Sequence, residues 1–245
     1  MHDFSGFSQP QDGFSQPTVG LSQPAFDIPV HLTDNKLYNF NRFKDHIPDI
    51  FHPYISRIQD VVPDGNCGFQ SLAVALGLPE TEWLTIRHAL LTESIQNANV
   101  YINVLLGVFD EIQESLKWSK PEFAPRRYWM QMPETGLLIA NAFGVIVVFI
   151  SLGASVTIFP LWTSPEFLQP HRIVSFVFVN DNHFVMVELT GDYPMPTPSW
   201  YWSRFKSQDA AAWEMWYKQC LDSYTNWLES RRQPPGFVDL DKYGL

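Results

Sequence analysis

The pattern of hydrophobic and polar residues divides the chain into helices and short strands. Apolar residues recur at helical spacing along three stretches, which predicts helices over residues 67–76, from about 82 to 98 and from about 100 to 117. Thr81 is the predicted cap of the second helix. A fourth helix is predicted over residues 128–141. These helices account for most of the middle of the chain.

Strands are predicted in the second half, where short β-branched runs replace the helical spacing. Residues 145–150 read as a buried strand, and a turn at 152–154 leads into a second strand. Residues 173–179 and 184–189 form two more strands, and the turn residues 180–182 between them indicate a hairpin. Helices interleaved with these strands predict an α/β or α+β domain with a small central β-sheet flanked by helices.

One stretch permits a different reading. No charged residue lies between Glu134 and Glu166, and residues 136–162 are long enough to span a bilayer. Gly153 and Pro160 interrupt the stretch, and its centre is β-branched and strand-length. We therefore expect a helix end and two strands here, and no membrane association.

The composition of the two ends differs from that of the centre. Residues 1–34 carry a Gly-Phe/Leu-Ser-Gln-Pro repeat and are predicted to be a flexible tail, because they offer little apolar area to bury. The globular domain is predicted over 35–192, and residues 35–58 read as short helical turns broken by prolines. A Pro-rich connector and a Trp-rich amphipathic helix follow over 193–232, and 233–245 form a C-terminal tail.

The Trp-rich helix has an aromatic stripe at helical spacing. We expect this stripe to pack against the domain, with docking of another chain as the alternative. Ser207 or Asp209 is its predicted cap, and Cys220 on the same face is expected to be buried and inert. The stripe comprises Trp213, Trp216, Tyr217, Cys220, Leu221, Tyr224, Trp227 and Leu228.

Charge and cysteine content narrow the classes of function. The 245 residues carry a net charge of −10, which argues against nucleic acid as the main partner and suits a basic protein surface. The two cysteines, Cys67 and Cys220, allow neither a disulfide framework nor a zinc site. The low cysteine content fits a reducing, intracellular setting, and the sequence shows no secretory signal. We expect no cofactor.

Cys67 stands where a tight turn becomes a helix. Pro63, Asp64, Gly65 and Asn66 are turn residues, and the helical pattern begins directly after them. The unpaired N–H groups and the positive end of a helix dipole favour an anion there, so we expect the thiol to ionise more readily than a free cysteine. This is the setting of a cysteine nucleophile.

A cysteine hydrolase also needs a base and a group that orients the base. His183 lies far downstream of Cys67, at the start of a predicted strand, which is the chain order expected of papain-like chemistry. A lone histidine between apolar residues is more often structural. His183 is nevertheless the candidate base.

The two motifs together resemble those of the ovarian-tumour (OTU) family of cysteine peptidases. Asp64-Gly65-Asn66-Cys67-Gly-Phe is similar to the family's nucleophile loop, and Asn-His183-Phe-x-x-Val to its histidine motif. Gln70 departs from the Arg that many members carry. The segment after Gly191, with its prolines and Trp-rich helix, looks like the extension of OTU modules in mobile-element proteins of plants, fungi and related eukaryotes.

The resemblance implies a papain-like fold of OTU type and hydrolysis of conjugates of ubiquitin or a ubiquitin-like protein. In this expectation Cys67 attacks the carbonyl of the C-terminal glycine, His183 protonates the departing amine, and Asp64 holds the nucleophile loop in shape. Backbone N–H groups of the loop meet the oxyanion, each such donor contributing roughly 3 kcal/mol in other enzymes.

The group that orients His183 stays open at the level of sequence. Many relatives carry Asn or Asp two residues after the histidine, where this chain has Val185. The sequence leaves Asp181 or an acid upstream of Cys67, namely Asp34, Asp49 or Asp60. Two other functions remain open with it: a ubiquitin-binding module with little or no turnover, and an element-derived interaction protein that uses the Trp-rich helix.

Overall fold

The structure is a computed structural model, and it describes residues 39–232. The repeat of residues 1–34 and the tail over 233–245 lie outside the described residues, as does Asp34. The described part is a mixed α/β fold around one five-stranded sheet. The strands are β1 (Ile55–Gln59), β2 (Ile146–Ile150), β3 (Val156–Ile158), β4 (Ile173–Val179) and β5 (His183–Leu189).

The sheet has the order β1-β5-β4-β2-β3. β2 and β4 run parallel, and the other neighbouring pairs are antiparallel. The predicted hairpin between β4 and β5 is confirmed: Asn180 and Asp181 have φ values of 52° and 55°, the left-handed conformation that Asn and Asp tolerate in tight turns. The β-branched run of β2 is buried along its whole length, as its composition predicts.

Helices cover the sheet. α1 packs on β5 and on α2, and α2 packs on α5, so the helix that begins with Cys67 lies against the strand that begins with His183. The helices are α1 (Cys67–Ala75), α2 (Trp83–Gln96), α3 (Ala98–Val104), α4 (Phe109–Ser115), α5 (Glu134–Phe143), α6 (Trp200–Phe205), α7 (Ala212–Trp216) and α8 (Lys218–Arg232).

Short 3₁₀ turns and a helical segment over residues 39–43 connect these elements. The turns cover Lys44–His46, Asp49–Tyr54, Glu80–Glu82, Arg126–Tyr128 and Pro165–Leu168. The predicted helical turns before β1 are thereby confirmed, but the strand β1 itself was not predicted. Its sequence, Ile-Ser-Arg-Ile-Gln, has only two apolar residues, because β1 lies at the edge of the sheet.

Several predicted helix boundaries are wrong for local reasons. The helix expected over 100–117 is two helices, α3 and α4, because Gly107 adopts a φ of 84° between them. The helix expected over 128–141 begins only after Pro133, which precedes its first residue. Thr81 lies inside a 3₁₀ turn, and the cap position of α2 is Glu82.

The C-terminal segment packs into the same core as the rest of the fold. Trp202, Trp213 and Tyr224 are buried in that core, and Phe159 stacks on Trp213 with ring centroids 5.6 Å apart. The single predicted helix is two, α7 and α8. The predicted packing of the stripe is confirmed except at Trp216, which is 49% exposed. Cys220 is partly exposed, which corrects the expectation that it is buried.

The long uncharged stretch folds as α5, β2 and β3. Among residues 39–232, no helix has both the length and the apolar character needed to cross a bilayer. The alternative reading of residues 136–162 as a single spanning helix is therefore wrong.

Candidate active site

The turn before Cys67 is bonded to a distant loop. Gly65 has a φ of 81°, and the backbone O of Asp64 accepts a 2.8 Å hydrogen bond from the N–H of Ala124. The Trp129 indole N–H donates to the backbone O of Ala124 at 2.8 Å and closes over Gly65. A side chain at position 65 has no room, so this turn requires glycine for both its conformation and its packing.

Asp64 has the structural role that the sequence predicts. Its carboxylate accepts a 2.8 Å bond from the backbone N–H of Asn66 and two 3.2 Å contacts from the Gln70 amide. The bond to Asn66 is an Asx turn, which fixes the chain just before the nucleophile. Gln70, where many OTU members carry Arg, is thus part of the support of the loop.

The Cys67 side chain lies at the first residue of α1 and is only 5% exposed. Burial raises the pKa of its thiol, and the negative charge of Asp64 acts in the same direction. Hydrogen bonding from the backbone N–H groups of Phe184, Gly68 and Cys67 lowers the pKa but does not outweigh burial. The expectation that Cys67 ionises more readily than a free cysteine is therefore wrong, because desolvation outweighs the helix N-terminus.

The sulfur of Cys67 thereby lies beside the backbone of the residue that follows the candidate base. The Ser71 hydroxyl, one helical turn along α1, donates to the backbone O of Phe184 at 3.3 Å. Helix α1 is thus bonded to the start of β5. The structure brings the two predicted motifs together although they are far apart in the chain.

His183 is oriented by Asp60. Its Nε2 lies 2.7 Å from Asp60 Oδ1, whereas its Nδ1 is buried and has no hydrogen-bond partner within residues 39–232. Asp60 follows β1 directly, and Gln59 pairs with Met186, so the register carries Asp60 alongside the start of β5. One of the upstream acids left open by the sequence therefore takes the place that Val185 cannot fill.

Arg42 contacts the other carboxylate oxygen of Asp60. The guanidinium lies 2.6 Å from Asp60 Oδ2, and its side chain is 52% exposed. The Asp60 side chain is 25% exposed and that of His183 is 12% exposed. The base and its acid thus lie at the rim of the site, more open than the nucleophile.

The remaining candidate acids are placed elsewhere. Asp181 lies in the β4–β5 turn, and Asp49 forms an ion pair with Arg231 of α8. Val185, two residues after His183 on the same side of β5, is fully buried in the core. Of the acids that the sequence left open and the structure describes, Asp60 is the one that contacts His183.

A cleft of 610 Å³ opens beside the site. Phe149, Phe178 and Phe184 form an aromatic cluster along it, with ring centroids 4.9 Å apart for Phe178 and Phe184. Glu134, Asp181 and Arg126 place charged side chains on its lining. The cleft is therefore lined by aromatic residues with charges of both signs, and it reaches Phe184, the residue that follows His183.

Two residues of the site were not found from the sequence. Arg87 on α2 is fully buried and bonds Asn66, although it stands on the same helix face as the apolar residues Ile86 and Leu90. A charged residue within an apolar face was the available signal. Arg42 gave no signal, because its segment has no clear periodicity.

The site brings together groups of the types that thiol chemistry uses. Cys67 carries a thiol, Asp60 carries a carboxylate bonded to His183 Nε2, and His183 Nδ1 has no hydrogen-bond partner among residues 39–232. No protein-family model and no curated protein matches this chain. The geometry and the motif resemblance are therefore what support a function.

Proposed function

We propose that this protein is a thiol-dependent deubiquitinase with a papain-like fold of OTU type. The observation that carries the proposal is the orientation of His183: Asp60 binds its Nε2 at 2.7 Å, and its buried Nδ1 has no partner within residues 39–232. The helix that begins with Cys67 is bonded to the start of β5 through the Ser71 hydroxyl and the backbone O of Phe184. A base held in this way is prepared to exchange a proton with the thiol.

The proposed reaction has two halves. His183 takes the proton of Cys67, and the thiolate attacks the carbonyl carbon of the C-terminal glycine of ubiquitin or a ubiquitin-like protein. The tetrahedral oxyanion accepts hydrogen bonds from backbone N–H groups at the start of α1. His183 then protonates the leaving amine, and water hydrolyses the thioester with His183 again as base.

Asp60 stabilises the imidazolium that forms in each half. The Asp60 carboxylate, at hydrogen-bonding distance, holds the ring in place and offsets the positive charge that the ring gains during proton transfer. Asp60 does not itself take the proton. The ion pair of Cys67 and His183 is therefore the reactive form in this proposal.

The choice of substrate rests on the motif resemblance and on charge. The net charge of −10 suits a basic protein surface, as ubiquitin presents. The cleft that Phe184 lines has aromatic side chains together with Glu134, Asp181 and Arg126, which suit an extended peptide with aliphatic and polar side chains. No nucleic acid, membrane or cofactor enters this proposal.

One observation favours a second candidate. The buried thiol, whose pKa is raised, is what a ubiquitin-binding module with slow turnover would retain. The third reading, a protein that docks partners through the Trp stripe, has less support, because Trp213 and Tyr224 of the stripe are internal. Exposed Trp216 is the part of the stripe left for it.

Hydrolysis of ubiquitin that carries a C-terminal fluorogenic amide tests the proposal. We expect turnover by the full chain and by Cys220→Ala, and none by Cys67→Ala. Cys220→Ala is the matched control because it removes the other thiol of the chain. Binding of ubiquitin without turnover would favour the second candidate. Equal turnover by Cys67→Ala would overturn the proposal.

A further inference from the structure

The least expected side chain near the candidate nucleophile is that of Arg87. It belongs to α2, has no exposed surface, and lies over the ring of Phe69 with its guanidinium carbon 3.7 Å from the ring centroid. Arginine is rarely buried unless every donor has a partner, because desolvation of a charge is costly. The contacts of Arg87 should therefore indicate its role.

Those contacts converge on the nucleophile loop. Arg87 Nε and Nη2 both donate to Asn66 Oδ1, at 3.2 Å and 2.8 Å. Nη2 also donates to the backbone O of Tyr128 at 2.9 Å, and Nη1 donates to the backbone O of Ser115. One guanidinium thus connects the start of α1, the end of α4 and the turn before α5.

Asn66 is the residue through which this contact reaches Cys67. Its backbone O accepts the first two hydrogen bonds of α1, from Phe69 and Gln70, at 2.9 Å each. The Asn66 side chain accepts from two guanidinium nitrogens, and its backbone O accepts from two N–H groups, so Asn66 has little conformational freedom. The peptide bond between Asn66 and Cys67 is restricted in the same way.

We propose that Arg87 is a positioning residue for Cys67: it fixes Asn66 and the start of α1, and its positive charge favours the Cys67 thiolate. The effect on turnover rests on the proposed function. The effect on the thiol does not, since it concerns the free protein.

The electrostatic part follows from the charges around the sulfur. Burial lowers the pKa of Arg87 to about 9, and attraction to Asp64 and Cys67 opposes this. The guanidinium therefore stays charged at neutral pH. The guanidinium donates to the side chain of Asn66, the residue directly before Cys67, so its positive charge lies near the thiol and favours a thiolate there. The negative charge of Asp64 opposes this effect.

The rate of Cys67 alkylation by iodoacetamide, measured against pH on the full chain carrying Cys220→Ala, tests the proposal. Arg87→Met removes the positive charge and the hydrogen-bond donors. Arg87→Lys keeps the charge but loses the planar set of guanidinium donors. Tyr101→Phe is the matched control, because it removes a buried hydroxyl that bonds Glu93 and Asn141 instead of the nucleophile loop.

We expect Arg87→Met to move the alkylation midpoint upward by roughly 1 pH unit, as loss of a nearby opposite charge does. Arg87→Lys should keep the midpoint but lower the rate at high pH several-fold, because the loop is less well held. Tyr101→Phe should change neither. A parallel fall in ubiquitin-amide kcat, with little change in KM, is expected if the proposed function holds.

Two results would overturn the proposal: a folded Arg87→Met with an unchanged midpoint, or an Arg87→Lys profile identical to that of the parent. If Arg87→Met does not fold, the Arg87→Lys profile decides. Because alkylation needs no ubiquitin, failure of the proposed substrate leaves this test intact.

Discussion

The two halves of the candidate site are built in opposite ways. The nucleophile half is buried: Cys67 is 5% exposed, and Asp64, Gln70 and Arg87 hold its turn through several hydrogen bonds. The base half lies at the rim, where a single 2.7 Å contact joins His183 to Asp60. Many bonds fix the nucleophile, and one fixes the base.

This difference predicts how each half fails. A change in the buried turn disturbs packing and folding together with reactivity, because the same bonds serve both. A change at the rim should lower reactivity more than stability, because it removes one partly exposed ion pair and leaves the packing of the buried turn intact. Substitutions in both halves test this contrast.

Gly65→Ala should be the most damaging. A Cβ there would meet the backbone O of Ala124 and come within 2.7 Å of Trp129 Nε1, in addition to the strain of a φ of 81°. We expect a loss of at least about 3 kcal/mol in unfolding free energy and loss of activity. Urea unfolding measures the loss in unfolding free energy.

Gly107→Ala is its control. Gly107 has a φ of 84°, but a Cβ there has open space. Only the backbone strain remains, roughly 1 to 2 kcal/mol, and activity should persist. Equal losses for the two variants would mean that the turn at Gly65 is not held by packing.

Asp60→Ala should separate reactivity from stability. Removal of the carboxylate frees the His183 ring, so we expect kcat/KM for the ubiquitin amide to fall on the order of 10²- to 10⁴-fold. The melting temperature should change little. Asp181→Ala, the other acid near His183 in sequence, should retain nearly full activity, and the reverse order of the two variants would assign the orienting role to Asp181.

Gln70→Ala tests the support of Asp64 at the buried half. The Asp64 carboxylate accepts from the Asn66 N–H and from the Gln70 amide. The substitution removes both contacts with Gln70 and keeps the bond from Asn66. We expect a destabilisation of about 1 kcal/mol and a several-fold fall in activity. Thermal unfolding measures the loss of stability, and the ubiquitin-amide assay measures the loss of activity. A Gln70→Ala variant that loses activity but keeps its stability would contradict the proposed difference between the two halves.

Arg42→Gln should have the smallest effect. Its side chain is 52% exposed, and solvent screens the attraction of the guanidinium to Asp60. We expect less than about 1 kcal/mol in stability and a roughly twofold change in kcat/KM that disappears at high salt. A large loss that persists in 1 M salt would place Arg42 among the essential groups of the site.

The sequence predicted the parts of the site that depend on local chemistry. The turn before Cys67, the helix that begins there and the β4–β5 hairpin follow from residues adjacent in the chain. Asp60 could only be named as one option, because its contact with His183 depends on the register between β1 and β5. β1 itself was missed, since an edge strand with two apolar residues has little pattern.

The sequence did not predict two features of the buried half of the site. Arg87 lies on the apolar face of α2, where helical periodicity predicts only core packing. The rise in the pKa of Cys67 was likewise missed, because a helix N-terminus is visible in the sequence whereas the burial of its first side chain is not. Desolvation depends on the whole packed domain.

The proposed function requires Cys67 and His183 to act together on the C-terminus of ubiquitin. Incubation with ubiquitin that bears a thiol-reactive C-terminus, followed by intact mass and peptide mapping, tests this requirement. We predict one ubiquitin added at Cys67, no adduct with Cys67→Ala, and a much slower reaction with His183→Ala. No adduct from folded protein, or an adduct at Cys220, would contradict the claim.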